Sequence, residues 1–439
     1  MSRIKEMTRR AFLEKLAVTG TSAVAGASLG FRPLAGGTPV ACDAQAAPPV
    51  PDFAAVRADF PRAEKSLWLA AAETHPFSVN TLKAIENYCQ YRALGPGEGR
   101  KSFTGEMQDE TKRMYADLIG AKPEEIAFTM STTDGENSVI AGIDLARKGG
   151  NVVIDDLHFI ASKWMYGEMR RRGLIELRIV RHRADWTIRL EDVARVIDKE
   201  TRLVSMALVS NVNGYLHDAR GISDLAHARG ALVYADIIQG VGNTPIDVKA
   251  MGLDCCATST YKWLMGDFGL GFLYVREDLQ ENAVKQTRYG TRQIGGVDKD
   301  GAYTMAPGAV RYEGTTTMPY VPGICAYEGL KYVTKLGVAN IRAHAKPLTD
   351  KLQKELPAFG FTSITPVDNP TPIVSFAHPD MEGVQKKLDK AFGQPVVSPG
   401  HWEKTDDKGR TEKVNGIRIG VSVYNNDADI DKFLNALGH

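Results

Sequence analysis

In the stretch TSTYKWLMGDFGLGFLYV, Thr258 to Val275, a single lysine, Lys262, stands between two aromatic residues, Tyr261 and Trp263. An amine held there loses solvation, which lowers its pKa toward the neutral form that imine chemistry requires. Surface lysines are far commoner than buried ones, so Lys262 by itself carries little weight. Three other short stretches change the balance. FTMSTTDGEN sets Ser131, Thr132 and Thr133 before a helix starting near Asp134. A helix N-terminus offers unsatisfied amides and the positive end of the dipole to an anion, although these hydroxyls also suit a plain N-cap. YADIIQG places Asp236 and Gln239 at the end of an apolar run, where an acid could cap a helix or keep a heterocyclic nitrogen protonated. VSNVNGYLHD places Asn211, an amide able to bond a ligand hydroxyl, at another strand end. With Ser259 and Tyr261 beside the lysine, the set is a phosphate cup, an acid, an amide and a buried amine. That combination suggests pyridoxal 5′-phosphate, which needs a lysine for its Schiff base and a carboxylate against its ring nitrogen.

Such groups must be carried by elements that bring distant stretches together. From about residue 75 the chain alternates short apolar runs with helical patterns. EIAFTM, NVVIDD, IELRIVR, RLVSMALVS, ALVYAD, CCATST and GLGFLYV read as strands, with helices such as DGENSVIAGIDLARKGG, SKWMYGEMRRRG and ISDLAHARG between some of them. Strands apolar on both faces and separated by helices predict an α/β fold with a mostly parallel, doubly covered sheet. Ligand-binding residues of such sheets collect at the carboxyl ends of the strands, where all four stretches lie. Beyond about residue 320 a long helical region, 322–360, leads to a smaller α/β unit with strands near TPIVSFA and GIRIGVSV. The expected division is 1–46, 47–75 joining the small domain, 76–320 as the cofactor-binding large domain, and 321–439 as the small domain. GDFGLG precedes a strand and lacks the spacing of a nucleotide loop, so its glycines are expected to turn the chain back into the sheet.

The 439 residues include 54 basic and 53 acidic side chains, which leaves no electrostatic case for a nucleic-acid partner. Five cysteines, 42, 89, 255, 256 and 325, form neither a CxxC pair nor a disulfide ladder, and the adjacent Cys255 and Cys256 suit opposite faces of one strand. No metal is called for. Near the start, TRRAFLEKLAVTGTSAVAGASLG puts Arg9 and Arg10 before Phe12 and Leu13 and a weakly apolar run. This is the layout of a twin-arginine export signal, with cleavage expected after Ala46 and a periplasmic or secreted destination. The run is too short and too polar for a stable membrane span.

With these motifs in order along nearly the whole chain from LWLAAAETHP onward, the sequence resembles the class V aminotransferase family of fold type I pyridoxal-phosphate enzymes. That branch holds cysteine desulfurases, kynureninases and isopenicillin N epimerase. The resemblance implies a seven-stranded large domain with a smaller C-terminal domain. It makes Lys262 the Schiff-base lysine and Asp236 the partner of the pyridinium nitrogen. Asn211 and Gln239 would contact the ring oxygen, and Thr132, Thr133, Ser259 and Tyr261 the phosphate. RYEGTT resembles a segment whose Gly-Thr pair, here Gly314 and Thr315, reaches the phosphate of a neighbouring subunit, implying a homodimer with shared sites. GIRIGVSVYNN resembles the strand carrying the carboxylate-binding arginine, here Arg418, whose planar guanidinium suits a carboxylate. Either Phe159 or His158 would stack on the ring, with the helix count favouring Phe159.

Two departures bear on the reaction. Desulfurases carry a nucleophilic cysteine on a loop of the C-terminal domain, whereas VVSPGHWEKTDDKGRTEK has none. That loop instead offers His401, while the charged run after Trp402 is expected to be a solvated loop. AAAETHP departs from the family's usual turn and puts Thr74 and His75 near the expected substrate pocket, His75 as a candidate acid or base. The expected activity is aminotransferase-like chemistry on an amino acid or amino-acid-derived small molecule, including tailoring of a periplasmic metabolite. An epimerase, a C–S or β-elimination lyase and a non-catalytic binding protein are the alternatives.

Overall fold

In the computed structural model, residues 49–405 and 410–438 are described. The expected export signal over 1–46 lies outside them. Seven short strands form the principal sheet: β1 (Ile126–Thr129), β2 (Asn151–Asp155), β3 (Glu176–Val180), β4 (Thr201–Ala207), β5 (Leu232–Asp236), β6 (Cys255–Ser259) and β7 (Gly271–Val275). Their order is β1-β7-β6-β5-β4-β2-β3. Only β7 runs antiparallel to its neighbours, β1 and β6. Strands β1, β2, β6 and β7 are buried at every position, as expected of a sheet covered on both faces. The alternation of a strand separates the paired cysteines. Cys256 joins the core on one face with Phe272 and Tyr274, and Cys255 the core on the other with Leu273 and Val275.

The longer helices are α1 (Val79–Leu94), α2 (Gly105–Leu118), α3 (Thr132–Gly142), α4 (Ile160–Arg171), α5 (Ala219–His227), α6 (Tyr320–Leu336), α7 (Val338–Glu355), α8 (Met381–Phe392) and α9 (Asp427–Gly438). The long helical region expected over 322–360 is broken between α6 and α7 by Gly337, whose φ of 78° belongs to the left-handed region. A small hairpin, β8 (Ile294–Val297) with β9 (Tyr303–Met305), lies outside both larger sheets. Its glycines and exposed side chains gave no strand signal in the sequence.

A second sheet holds β10 (Thr362–Ser363), β11 (Ile373–Ala377), β12 (Ser398–Thr405) and β13 (Thr411–Gly420), in the order β10-β11-β13-β12, all antiparallel. The charged run expected as a solvated loop is largely strand, since β12 and β13 pair from Ser398 opposite Arg418 to Thr405 opposite Thr411. An antiparallel ladder satisfies the backbone and leaves charged side chains in solvent. Leu67 and Leu69 pack with Phe376, Ile419 and Phe433 in the core under this sheet. The N-terminal segment is stitched there by Leu69 N–H to Val396 O (2.8 Å) and Gly420 N–H to Leu69 O (2.7 Å). A Cβ on Gly420 would lie 2.6 Å from Ala72 N, so only glycine admits this approach. Among the described residues no helix is long and apolar enough to cross a membrane.

Candidate active site

The carboxyl ends of β4, β5 and β6 open into a cavity of about 240 Å³. Thr132, Thr133, Phe159, Asn211, Asp236, Gln239, Ser259, Tyr261 and Lys262 all line it. Residues scattered between positions 132 and 262 thus meet because parallel strands deliver their C-terminal loops to one edge.

The hydroxyl cup is built by α3. Ser131 Oγ accepts from Asp134 N–H (3.1 Å), capping the helix and starting it two residues before the sequence suggested. Thr132 N–H donates to Ser259 Oγ (3.0 Å), and the two hydroxyl oxygens lie 3.1 Å apart. Helix α3 approaches the sheet closely at Gly135, where a Cβ would fall 2.6 Å from that of Ala257. Glycine at that position therefore lets the helix N-terminus reach the end of β6.

The loop bearing Lys262 is pinned on both sides. Tyr261 stacks on Phe268 with ring centroids 4.2 Å apart, and Tyr261 O accepts from His75 N–H (3.0 Å). Trp263 is buried and donates its indole N–H to Gln239 Oε1 (2.9 Å). Gln239 Nε2 in turn donates to Ala72 O (2.9 Å). Gln239, expected at the ring oxygen, lines the cavity but spends its carbonyl and one amide hydrogen on this scaffold. Met265 adopts φ 57°, a left-handed conformation unfavourable for its side chain, which turns the chain toward the glycine-rich segment. Gly271 then passes Thr258 O so closely that a Cβ would lie 2.3 Å from it.

Lys262 is buried, and that burial lowers its pKa, with the positive charge of Arg418 acting the same way; Asp236 and Glu73 oppose both. Asp236 is buried too, and desolvation raises its pKa against the pull of Ile238 N–H, which donates to Oδ1 (3.0 Å), and of Lys262. An anionic Asp236 is therefore costly until a protonated ring nitrogen or another cation faces it.

Arg418 leaves β13 toward the same edge. Its Nη1 donates to Asn211 O (3.0 Å) and its Nη2 to Ser398 Oγ (3.4 Å), while Ser398 Oγ donates to Glu73 Oε2 (2.8 Å). Arg418 Nε and Asn211 Oδ1 are buried with no hydrogen-bond partner. Buried polar atoms of native structures are ordinarily paired, so these two mark where a ligand's acceptor and donor would sit. They fit a substrate carboxylate and the cofactor's ring hydroxyl.

Of the ring-stacking pair, Phe159 lines the cavity. His158 instead donates Nε2–H to Ser205 Oγ (3.0 Å) and accepts Phe159 N–H at Nδ1 (2.8 Å). Burial lowers its pKa to about 4, so it stays neutral.

The acid-base role expected of His75 is overturned. Its ring lies buried between Phe60 and Tyr424, with Nδ1–H donating to Pro76 O and Nε2 accepting from Ser422 Oγ, both at 2.9 Å. Burial lowers its pKa to about 4. What His75 gives the site is the backbone N–H that holds Tyr261. Thr74, expected at the substrate pocket, does not line the cofactor cavity; its carbonyl accepts the indole N–H of Trp68 (3.0 Å). Gly314 and Thr315 stand apart from this chain's own cavity, in a separate hollow with Arg288 and Asp134. His401 bonds Asn415 Oδ1 (2.9 Å) and lines a second, larger cavity with Arg418.

Sequence reasoning missed Glu136. It is fully buried on α3 and accepts from Ser162 Oγ (2.7 Å) and Tyr166 OH (2.9 Å), both on α4, and from Ser205 Oγ (2.9 Å) on β4. This network ties the cup helix to α4, the helix that begins right after Phe159. A signal for it was present at helical spacing: Glu136 shares a face with Val139 and Ile140. Desolvation raises the Glu136 pKa to about 7 against three hydroxyl donors.

A buried amine facing a buried acid at the edge of this sheet, with a hydroxyl cup at a helix N-terminus, defines a fold type I, pyridoxal-phosphate-dependent enzyme. Residues 68–433 match the family described as aminotransferase class-V, and the chain belongs to that family. The family's cofactor is pyridoxal 5′-phosphate, which the donor set above fits. A probable cysteine desulfurase of Methanothermobacter thermautotrophicus is 28% identical over 385 residues, 85% of this chain and 94% of that protein. The apo cysteine desulfurase of Thermococcus onnurineus NA1 has the same fold, with a TM-score of 0.74 at 24% identity over 87% of this chain and 96% of its own. So has the cystine C–S lyase C-DES in complex with its product cysteine persulfide, with a TM-score of 0.73 at 19% identity over 86% and 98%.

Proposed function

We propose that this protein is a pyridoxal-phosphate-dependent lyase that breaks a carbon–sulfur bond at Cβ of an α-amino acid. The relatives above favour sulfur chemistry over transamination. The observation that carries the reading is that Lys262 lines the cofactor cavity and Arg418 a second cavity sharing Asn211 with it, and that no cysteine lines either. Among the described cysteines, Cys89 is exposed on α1, and Cys255, Cys256 and Cys325 are buried in the cores. Sulfur is therefore released on the substrate fragment, without an enzyme persulfide.

Bound pyridoxal phosphate supplies the electron sink for charge at Cα. Arg418 grips the substrate carboxylate and orients the Cα–H bond. Lys262 Nζ, whose pKa burial and Arg418 lower toward the neutral amine, takes the Cα proton. The Cβ–S bond breaks with its electron pair on sulfur, and Lys262 returns the proton to the departing fragment. Hydrolysis of the remaining enamine gives a 2-oxo acid and ammonia. Asp236 would hold the ring nitrogen's proton, and Phe159, on the same cavity, would pack against the ring.

Incubating holoenzyme with S-methyl-L-cysteine and following the products tests this directly. Pyruvate, ammonia and methanethiol in equal amounts are expected. A 2-oxo acid that retains sulfur, with pyridoxamine phosphate and no ammonia, would establish transamination instead; α-deuterium exchange without turnover would establish epimerisation. A protein without the visible absorbance of a lysine-bound cofactor after loading would leave only a binding role.

The working form in this reading is a homodimer in which Gly314 and Thr315 of one protomer meet the phosphate held by its partner. Their placement outside their own chain's cavity supports that arrangement, and light scattering of the holoenzyme tests it. The reading places the enzyme outside the cytoplasm, exported folded with its cofactor through Arg9 and Arg10. Lysine at both positions should leave the protein in the cytoplasm, and a periplasmic double variant would refute the route.

A further inference from the structure

Asn211 lines both the cofactor cavity and a second cavity of about 640 Å³, whose wall also holds Arg418. It is more than twice the size of the first and far larger than a methylthio or thiol group requires. Its walls are unusual in composition. Of the five tryptophans in the chain, three, Trp164, Trp186 and Trp402, line this one cavity. They come from three separate elements.

Trp164 stands on α4 one turn after Ile160, and both side chains are exposed, at 70% and 42%, although a surface helix ordinarily spends its large apolar residues on the core. Trp402 lies on β12 with its indole folded over Gly400, where a Cβ would fall 2.1 Å from the ring; glycine there gives the ring its resting place. Trp186 has φ 60°, a strained conformation for an aromatic residue, yet it is fixed by its stack on His182 (4.4 Å) and by Asn213 Nδ2, which donates to its carbonyl (3.0 Å). Two acidic residues, Asp156 and Glu403, also line the wall, and the first is already engaged: Asp156 Oδ1 accepts from His182 N–H (2.9 Å), and Arg181 lies 3.7 Å from its other oxygen.

We propose that this cavity is the subsite for the distal part of the substrate, and that it takes a planar aromatic group. With the carboxylate on Arg418 and Cα over the cofactor cavity, the side chain of a bound amino acid has Asn211 as its threshold and the tryptophan-lined space beyond. Indole walls offer broad, rigid apolar faces at little cost in side-chain entropy, and they bind flat rings by stacking. Resting on the lyase reading, the substrate class becomes an α-amino acid with an aryl or aralkyl group beyond Cβ, such as an aromatic thioether conjugate of cysteine.

Probes without a leaving group separate the subsite from the reaction. Holoenzyme is titrated with L-alanine and with 3-(2-naphthyl)-L-alanine, and the change in visible cofactor absorbance gives each Kd. Naphthylalanine should bind at least about tenfold more tightly. Trp164→Ala, at an exposed position whose loss leaves the core intact, should weaken naphthylalanine about fivefold, the scale of one aromatic pair, and leave L-alanine unchanged; Trp164→Phe should restore most of the difference. Equal affinities, or equal weakening of both ligands by Trp164→Ala, would overturn the subsite. If the affinity pattern holds while S-methyl- and S-benzyl-L-cysteine both fail to yield pyruvate, the subsite stands and the lyase reading falls. If S-methyl-L-cysteine is split and naphthylalanine gains nothing, the lyase reading stands and the subsite falls.

Discussion

Replacing Glu136 by glutamine should change how the stability of the cofactor-free protein depends on pH. The partners of Glu136 are the hydroxyls of Ser162, Tyr166 and Ser205, and the like charge of Asp236 adds to the effect of its burial. Burial therefore raises its carboxyl from an ordinary 4.5 to about 7. A raised folded-state pKa means that the folded chain holds the proton more tightly than the unfolded one. Its contribution is then full below about 4.5 and lost as pH rises through about 7. At about 1.4 kcal/mol per tenfold, the wild type should lose roughly 2.5 kcal/mol between about pH 5 and pH 8 through this group alone. The amide in the Glu136→Gln variant has no such proton to lose, and its oxygen still accepts from the hydroxyls. Guanidinium unfolding of both proteins at the two pH values gives the quantity as a difference of differences, in which titrating groups that do not interact with Glu136 cancel. A Glu136→Gln variant whose stability falls with pH as steeply as that of the wild type would refute the assignment of a costly buried charge to this site.

The remaining predictions concern the cavity. Lys262→Ala should remove the absorbance of the lysine-bound cofactor and abolish turnover while leaving the unfolding midpoint of the apo form unchanged or higher, because a buried amine is lost. Arg418→Lys should raise KM for amino acids on the order of tenfold with a smaller change in kcat, since an ammonium cannot hold Asn211 O, Ser398 Oγ and a carboxylate together; unchanged KM in steady-state kinetics would count against the carboxylate clamp. Arg418→Met removes a cation that lowers the Lys262 pKa, so the acidic limb of the kcat profile, which reports the amine freed in the substrate complex, should move to higher pH. Gly135→Ala should cost about 1–3 kcal/mol by overpacking α3 against Ala257, read as a lower unfolding midpoint together with weaker cofactor retention on dialysis.

Much of this protein was legible in its sequence because periodicity and turn residues act locally. The seven apolar runs became the seven strands, and residues at or after the ends of five of them, β1, β2, β4, β5 and β6, line one cavity. Where the reading failed, the deciding contacts were distant ones. His75 belongs to a segment whose backbone does reach the site, but Phe60 and Tyr424, far apart in the sequence, close over its ring and make a titrating role untenable. Glu136 escaped notice because a single acid in a helix is ordinarily a surface residue; its partners lie 26, 30 and 69 positions away. The strands β12 and β13 were hidden by their own exposure, since a charged ladder lacks the apolar alternation by which strands are recognised.

The residue types and their order along the chain determined the chemistry class: an amine, an acid, an amide, a hydroxyl cup and an arginine are supplied whatever the loops do. Only the tertiary structure decided which neighbours each group meets. Burial and the charge of Arg418 lower the lysine's pKa, the register of β13 brings Arg418 to Asn211, and three tryptophans from α4, the segment before residue 190 and β12 enclose a single space. Desolvation and long-range contact set these properties, and neither is a property of any one stretch of sequence.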